Sequence, residues 1–196
     1  ELRGVSAIFF RIGMAMLLIM ALVYPTISLW SKTNGFQPVG GFTLNGIAFM
    51  ESSSPDETSA ARWLENAPYG IVAEAVSPTG GSYTNYARIS MLSGLPAVLG
   101  WTGHESQWRG GSTEMGTRQP DLERLYCSRD WDETQSILEN YNIRYIIIGN
   151  LERSTYAPGT GNCTAGLQET KFFTQLSPVF QQGSITIYEY NPRSSR

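Results

Sequence analysis

No charged residue occurs between Ile12 and Trp30, the longest apolar stretch of the chain. About 20 apolar residues carry a helix across the hydrocarbon core of a bilayer. The apolar run Ala7–Phe10 extends the stretch upstream, and Arg11 can snorkel from it. Tyr24 and Trp30 sit where an interfacial aromatic belt is expected. The pattern predicts a transmembrane helix over residues 1–31. Arg3 and Arg11 precede it and Lys32 follows it, so the positive-inside rule places the remainder outside the cytoplasm.

Beyond this run the pattern breaks into short apolar segments. Residues 32–54, rich in Gly, Ser, Asn and Pro and including Gly40-Gly41, read as a linker. Ser54-Pro55-Asp56-Glu57 starts a helix: a capping hydroxyl, a proline at the first position, then acids on the helix dipole. That helix stops near Asn66-Ala67-Pro68. Gly70–Val76 predicts a buried strand, Ser77–Ser82 a loop, Tyr83–Ser93 a short helix or turn, and Ala97–Gly100 a second strand. Asp121–Tyr126 is expected to be helical, and Asp132 to cap an amphipathic helix carrying Ile137, Leu138 and Tyr141. Arg144–Gly149 predicts a strand buried on both faces, as in a parallel sheet. Asn150–Gly166 reads mostly as loop, Thr170–Leu176 as a short helix, and Val179–Tyr190 as a β-hairpin.

The expected fold class is therefore α/β: one N-terminal transmembrane helix, then a small three-layer domain with a mostly parallel sheet and a C-terminal β-hairpin. That domain spans 55–190, with a tail at 191–196. The chain begins at Glu1, so a fragment or processed product is expected.

Charge sharpens this reading. Charged residues make up 16% of the chain and the net charge is −3. Soluble domains carry about 25% charged residues. Gly, Ser, Thr, Tyr and Trp are abundant while Lys is scarce, a composition that suits a surface outside the cytoplasm. No Lys/Arg cluster exists, which excludes a nucleic-acid partner. Cys127 and Cys163 are the only cysteines and can form one disulfide outside the cytoplasm. Neither has metal-site spacing, and no metal or cofactor is assigned. Asn162-Cys163-Thr164 matches the N-glycosylation pattern formally.

Three clusters carry candidate chemistry. The first is Gly100–Gly110, with the only histidine and two of the five tryptophans. Glycines bracket it, so a loop is expected. His104 and Glu105 could act as base and acid, Arg109 as an anion clamp, and Trp101 and Trp108 as stacking surfaces. The same residues could equally be anchors and internal ion pairs. The second cluster is Glu74 at a strand end, with Tyr83 and Arg88 beyond it. The third is Glu152 and Arg153, after the strongest strand. Ligands in open α/β sheets gather beyond strand carboxyl ends, so these clusters are expected to share one crevice. Structural pairing, Glu74 with Arg88 above all, is the competing expectation. No nucleophile elbow, catalytic triad or phosphate loop is present.

The segments Pro55-Asp56-Glu57, Arg62-Trp63-Leu64, Glu74-Ala75, Gly81-Ser82-Tyr83, Arg88-Ile89-Ser90, Gly94-Leu95-Pro96 and Leu99–Gly110 resemble one family. So do Tyr145, Gly149, Leu151-Glu152-Arg153, Tyr156, Lys171-Phe172, Val179-Phe180 and Ile187-Tyr188. Together they look like the C-terminal region of the highly hydrophobic "YYY" (Chlor_Arch_YYY) membrane proteins. His104–Gly110 is the most specific part. The resemblance implies a polytopic parent, broadly similar to GT-C glycosyltransferases, with membrane lipid, a lipid-linked sugar and other membrane helices or subunits as partners. One membrane helix cannot build such a core alone. Two functions are carried forward. One is the extracytoplasmic C-terminal domain of a glycosyltransferase-like enzyme. The other is a non-catalytic accessory or structural subunit of a membrane complex.

Overall fold

A computed structural model describes residues 2–37 and 41–191. Residues 38–40 of the expected linker, most of the expected tail (192–196) and the side chain of Arg3 lie outside the described residues. The chain forms two units, Glu1–Phe49 and Met50–Arg196.

The first unit is dominated by helix α1 (Leu2–Lys32). Its apolar segment has a mean hydropathy of 2.2 and none of it is buried. At about 1.5 Å per residue such a helix exceeds the roughly 30 Å of a hydrocarbon core. It is long and apolar enough to cross a membrane. Helix α2 (Ala48–Ser53) forms within the expected linker.

The second unit is an α/β domain. Helix α3 (Pro55–Glu65) is followed by β1 (Ile71–Ala73), α4 (Arg88–Ser93), α5 (Thr102–Trp108) and a single 3-10 turn at Thr113–Met115. Then come α6 (Arg118–Cys127), α7 (Trp131–Asn140), β2 (Ile143–Ile148), α8 (Asn150–Thr155), α9 (Glu169–Gln175), β3 (Ser177–Gln182) and β4 (Ile185–Glu189). The sheet is mixed, in the order β1-β2-β4-β3. β1 and β2 pair in parallel, and the β3–β4 hairpin adds antiparallel pairing.

The alternation of β2 explains the layers. Tyr145 and Ile147 face Ala60 and Leu64 of α3, Ile89 of α4, and Ile185 and Ile187 of β4. Ile146 and Ile148 face the other way, onto Leu122, Leu125 and Tyr126 of α6, Leu138 of α7 and Phe172 of α9. Each apolar side chain so buried contributes roughly 1.5–3 kcal/mol. Both faces of β2 are covered, as its unbroken apolar run predicts. Tyr126 anchors the second face: its hydroxyl reaches the carbonyls of Ala73 (2.9 Å) and Ile147 (3.0 Å), and its ring stacks on Tyr156.

Cys127 and Cys163 form a disulfide with Cα atoms 5.2 Å apart. It fastens the loop after α8 to the end of α6. Lys171 closes the same end: its Nζ donates to the carbonyls of Leu125 and Ser128 (both 2.6 Å) and to Thr134 Oγ1 (2.9 Å).

Several local expectations need correction. The strand expected at Ala97–Gly100 is a single parallel bridge between Ala97 and Val72. Helix α7 is capped by Asp130 Oδ1, which accepts from the Asp132 backbone N–H, and α6 begins at Arg118 rather than Asp121. The loop expected from Asn150 opens instead with α8, because Glu152 reaches back to the Gly149 N–H (2.9 Å), the returning half of a capping box. The Trp101–Arg109 loop is also mostly helix, α5.

Candidate functional site

Two arrangements emerge from the three sequence clusters. The first is a buried ionic knot around Arg88. Glu74 stands just past β1, and its carboxylate accepts from the backbone N–H groups of Ile89 (3.0 Å) and Ser90 (2.9 Å) at the start of α4. Arg88 pairs with Glu152 through both terminal nitrogens (3.2 and 3.1 Å). Its Nε donates to Glu57 on α3 (2.6 Å), and Glu74 lies 3.6 Å from it. Glu152 also accepts from the Ala75 N–H (2.9 Å). One guanidinium thus ties α3, the end of β1, α4 and α8 together. Burial pushes the Glu74 carboxyl above its ordinary range, against Arg88 and the two backbone donors. Burial opposes the charge on Arg88, but Glu152, Glu57 and Glu74 outweigh it and raise its pKa.

Arg153 plays a related part nearer the surface. It grips Glu169 of α9 with two nitrogens (2.7 and 2.9 Å) and donates to the Ser184 carbonyl (2.6 Å) in the hairpin turn.

The second arrangement is the edge formed by α5. Trp101, His104 and Tyr83 meet in a triangle of rings, with centroids 4.6 Å (Tyr83–His104), 5.3 Å (Trp101–His104) and 5.5 Å (Tyr83–Trp101) apart. The Trp101 indole N–H donates to the Tyr86 carbonyl (2.6 Å), which fixes that ring. Gly103 makes the approach possible. A Cβ there would lie 2.7 Å from Ser82 Oγ and 3.1 Å from the Gly81 carbonyl oxygen. Tyr83 holds a left-handed backbone (φ +57°), which is strained for a bulky residue, yet the residue is 82% exposed.

Along the same helix Glu105 Oε2 accepts from Arg109 Nε (2.6 Å), and Arg109 also donates to Glu114 (2.9 Å). These bonds raise the pKa of Arg109. Its charge is answered by two acids before any ligand arrives. Trp108 follows Glu105 by three positions, so it neighbours Glu105 on the helix surface, and it is 83% exposed.

Glu105 lines two cavities. One, of about 360 Å³, also carries Arg109, Glu114, Arg118 and Tyr141. The other is an open groove of about 520 Å³ walled by Tyr69, Met91, Leu95, Gly100 and Trp101. Glu105 Oε1, the oxygen turned from Arg109, lies on the Gly100 side of this groove, 3.7 Å from where a Gly100 Cβ would stand.

The structure therefore brings Glu74, Arg88 and Glu152 together, and separately gathers Tyr83, Trp101, His104, Glu105 and Arg109. Among the described residues no hydrogen bond or ion pair joins the first set to the second. Glu114, Tyr69 and Met91 carry no sequence signal of their own, and Glu57 reads from sequence as a dipole acid and part of the resembling Pro55-Asp56-Glu57 segment, not as a partner of Arg88. Among the described residues no group of three or more His, Cys, Asp or Glu side chains could hold a metal ion.

No family model matches the chain, and no curated protein matches it significantly. The C-terminal globular domain of oligosaccharyltransferase from Archaeoglobus fulgidus is a similar solved structure, at 11% identity and a TM-score of 0.43, covering 68% of this chain and 95% of that one. A score of that size does not establish a common fold.

Proposed function

We propose that the chain is the membrane-anchored, extracytoplasmic domain of a polytopic membrane protein, of the kind its His104–Gly110 stretch resembles. Its role is recognition: the groove beside α5 holds a neutral sugar unit of a lipid-linked glycan. The observation that carries this reading is the pairing of an aromatic wall with a carboxylate oxygen, Trp101 and Tyr69 with Glu105 Oε1. A pyranose offers an apolar C–H face for ring contact and hydroxyls for a carboxylate acceptor, and charge-assisted bonds of that kind are the stronger ones. An anionic group fits less well, since Glu105 faces the groove and Arg109 is engaged.

The acids that sequence placed near chemistry support binding over bond-making. Glu74 and Glu152 are consumed by Arg88 in the interior. The disulfide supports the extracytoplasmic side, because such bonds persist in oxidising compartments.

The test uses the full chain in detergent micelles, with neutral disaccharides of hexose and N-acetylhexosamine as probes and tryptophan indole N–H resonances as readout. Trp101 and Trp108 are expected to shift while Trp63 and Trp131 stay, and Glu105→Gln weakens the response. Silence of Trp101 and Trp108 across the probe series overturns the sugar reading. If they respond instead to a purified membrane partner, the groove is a protein-binding edge, the reading that the exposed Tyr69 and Met91 favour.

A further inference from the structure

The Asn162-Cys163-Thr164 pattern lies far along the chain from the groove, and the sugar reading does not use it. We propose that Asn162 is an N-glycan acceptor, and that the glycan is attached before the Cys127–Cys163 disulfide closes. The proposal rests on the reading that the domain lies outside the cytoplasm.

The geometry separates the three residues of the pattern by role. Thr160 to Cys163 is a two-residue hairpin: the Cys163 N–H donates to the Thr160 carbonyl (2.8 Å) and the two residues bridge as antiparallel neighbours. Gly161 takes the left-handed backbone (φ +50°) that such a tight turn requires, and leaves Asn162 at the tip. Asn162 and Thr164 are exposed, while Cys163 between them is 1% exposed and bonded to Cys127. The Thr164 N–H donates to the Asn162 carbonyl (3.0 Å), which folds the hydroxyl residue back toward the amide residue. A buried central residue thus holds both recognition side chains outward on a surface turn, the setting an acceptor pattern needs.

The folded turn also fixes the order of events. Glu123 on α6 accepts from the Asn162 backbone N–H, and its Oε2 accepts from the Asn162 side-chain amide (3.1 Å). With the disulfide closed, the turn is tied to α6 and the exposed amide is engaged by Glu123, so a transferase has to break that bond and pull the turn from the helix to reach it. Before closure, residues 160–164 are free to enter its active site. The donor is a lipid-phosphate-linked oligosaccharide. The bond from its anomeric carbon to the phosphate oxygen breaks, and the electron pair leaves with the lipid phosphate. The Asn162 amide nitrogen forms the new bond to that carbon and gives up one proton to a base of the transferase. Nothing is oxidised or reduced. The product nitrogen keeps one N–H, so the bond to Glu123 can form afterwards and hold the first sugar at the turn while the glycan extends into solvent.

The experiment is peptide mapping by mass spectrometry on the full chain purified from its native membranes, without reduction, before and after a glycan-releasing amidase in oxygen-18 water. The expected result is a hexose- or hexosamine-bearing peptide at Asn162 that the amidase converts to labelled aspartate. Thr164→Ala abolishes the modification, and Cys127→Ser raises its occupancy by leaving the turn open longer. A closed disulfide beside a bare Asn162 overturns the glycan alone. Free thiols beside a bare Asn162 overturn both the glycan and the extracytoplasmic reading. A modified Asn162 whose occupancy ignores Cys127→Ser overturns the order.

Discussion

Arg88 and Arg109 are each held among carboxylates on the same domain, yet they do different work. The Arg88 side chain is 3% exposed and its partners Glu74 and Glu152 are fully buried. The Arg109 side chain is half exposed, with Glu105 partly and Glu114 largely open to water. Taking charges out of water costs several kcal/mol per ion, so a buried set persists only when every member is paired and hydrogen-bonded. A solvated set is screened and holds little together. The first arrangement is architecture. The second leaves an oxygen of Glu105 and the rings beside it available to a ligand.

The largest effect should come from breaking the first. Arg88→Ala strands Glu74 and Glu152 in the interior, and breaking a buried pair in this way costs about 3–5 kcal/mol. Urea unfolding should show that loss. Arg88→Lys should recover little of it, because an ammonium cannot serve Glu152 bidentately and reach Glu57 as well. A variant as stable as the parent would erase the contrast between the two arginines.

Lys171 sharpens the comparison, being a buried cation paired with carbonyls rather than acids. Burial lowers its pKa to about 8, against the pull of Glu133 and Asp130. The unfolded chain keeps that proton up to about pH 10.4, so between the two values the unfolded state holds more protons and stability rises with pH. Urea midpoints from pH 8 to pH 10 should climb in the parent and lie flat in Lys171→Met. The tyrosines with raised pKa values act above that window, in the opposite sense. Lys171→Met should also cost about 1–3 kcal/mol near neutrality, since it leaves the Leu125 and Ser128 carbonyls without their donor.

Gly103→Ala tests the seat of the open arrangement. The new methyl meets Ser82 Oγ and the Gly81 carbonyl, and crowding of this order costs about 1–3 kcal/mol. The ring contacts of Tyr83 with Trp101 and His104 should loosen, seen as lost nuclear Overhauser contacts among those rings.

How much of this was legible in sequence follows from the range of the interactions. The start of α3 was readable because Pro55-Asp56-Glu57 is a local signal, although the expected Ser54 hydroxyl makes no capping bond, and β2 because burial on both faces demands an unbroken apolar run. Glu74, Arg88 and Glu152 were visible as strand-end charges. The Glu74–Arg88 pairing was open to expectation from their neighbouring positions, and the structure shows it. That Glu152 and Glu57 join it was not, because this depends on how α8 and α3 return over the sheet. Helix α5 was misread because its glycines and mixed polar residues carry no helical period. The contact of Gly103 against Gly81 that seats it comes from a segment some twenty residues earlier. The groove was illegible for the same reason: Tyr69, Met91 and Trp101 come from three separate segments.

The smallest effect on stability should be the most telling for function. Trp108 is exposed, and no hydrogen bond or ring contact holds it among the described residues, so Trp108→Ala should leave the urea midpoint within error, as should Arg109→Ala. Truncating an exposed aromatic normally costs nothing unless the ring meets a ligand. If Trp108 lies over a sugar bound beside Glu105, the alanine variant should weaken disaccharide binding several-fold, by the roughly 0.5–1.5 kcal/mol that specific aromatic contacts contribute. Arg109→Ala should leave neutral sugar binding intact or improve it, since Glu105 Oε2 is then released to accept a second hydroxyl. The two variants, alike in stability and unlike in binding, would separate a recognition edge from a surface that only happens to carry aromatic rings.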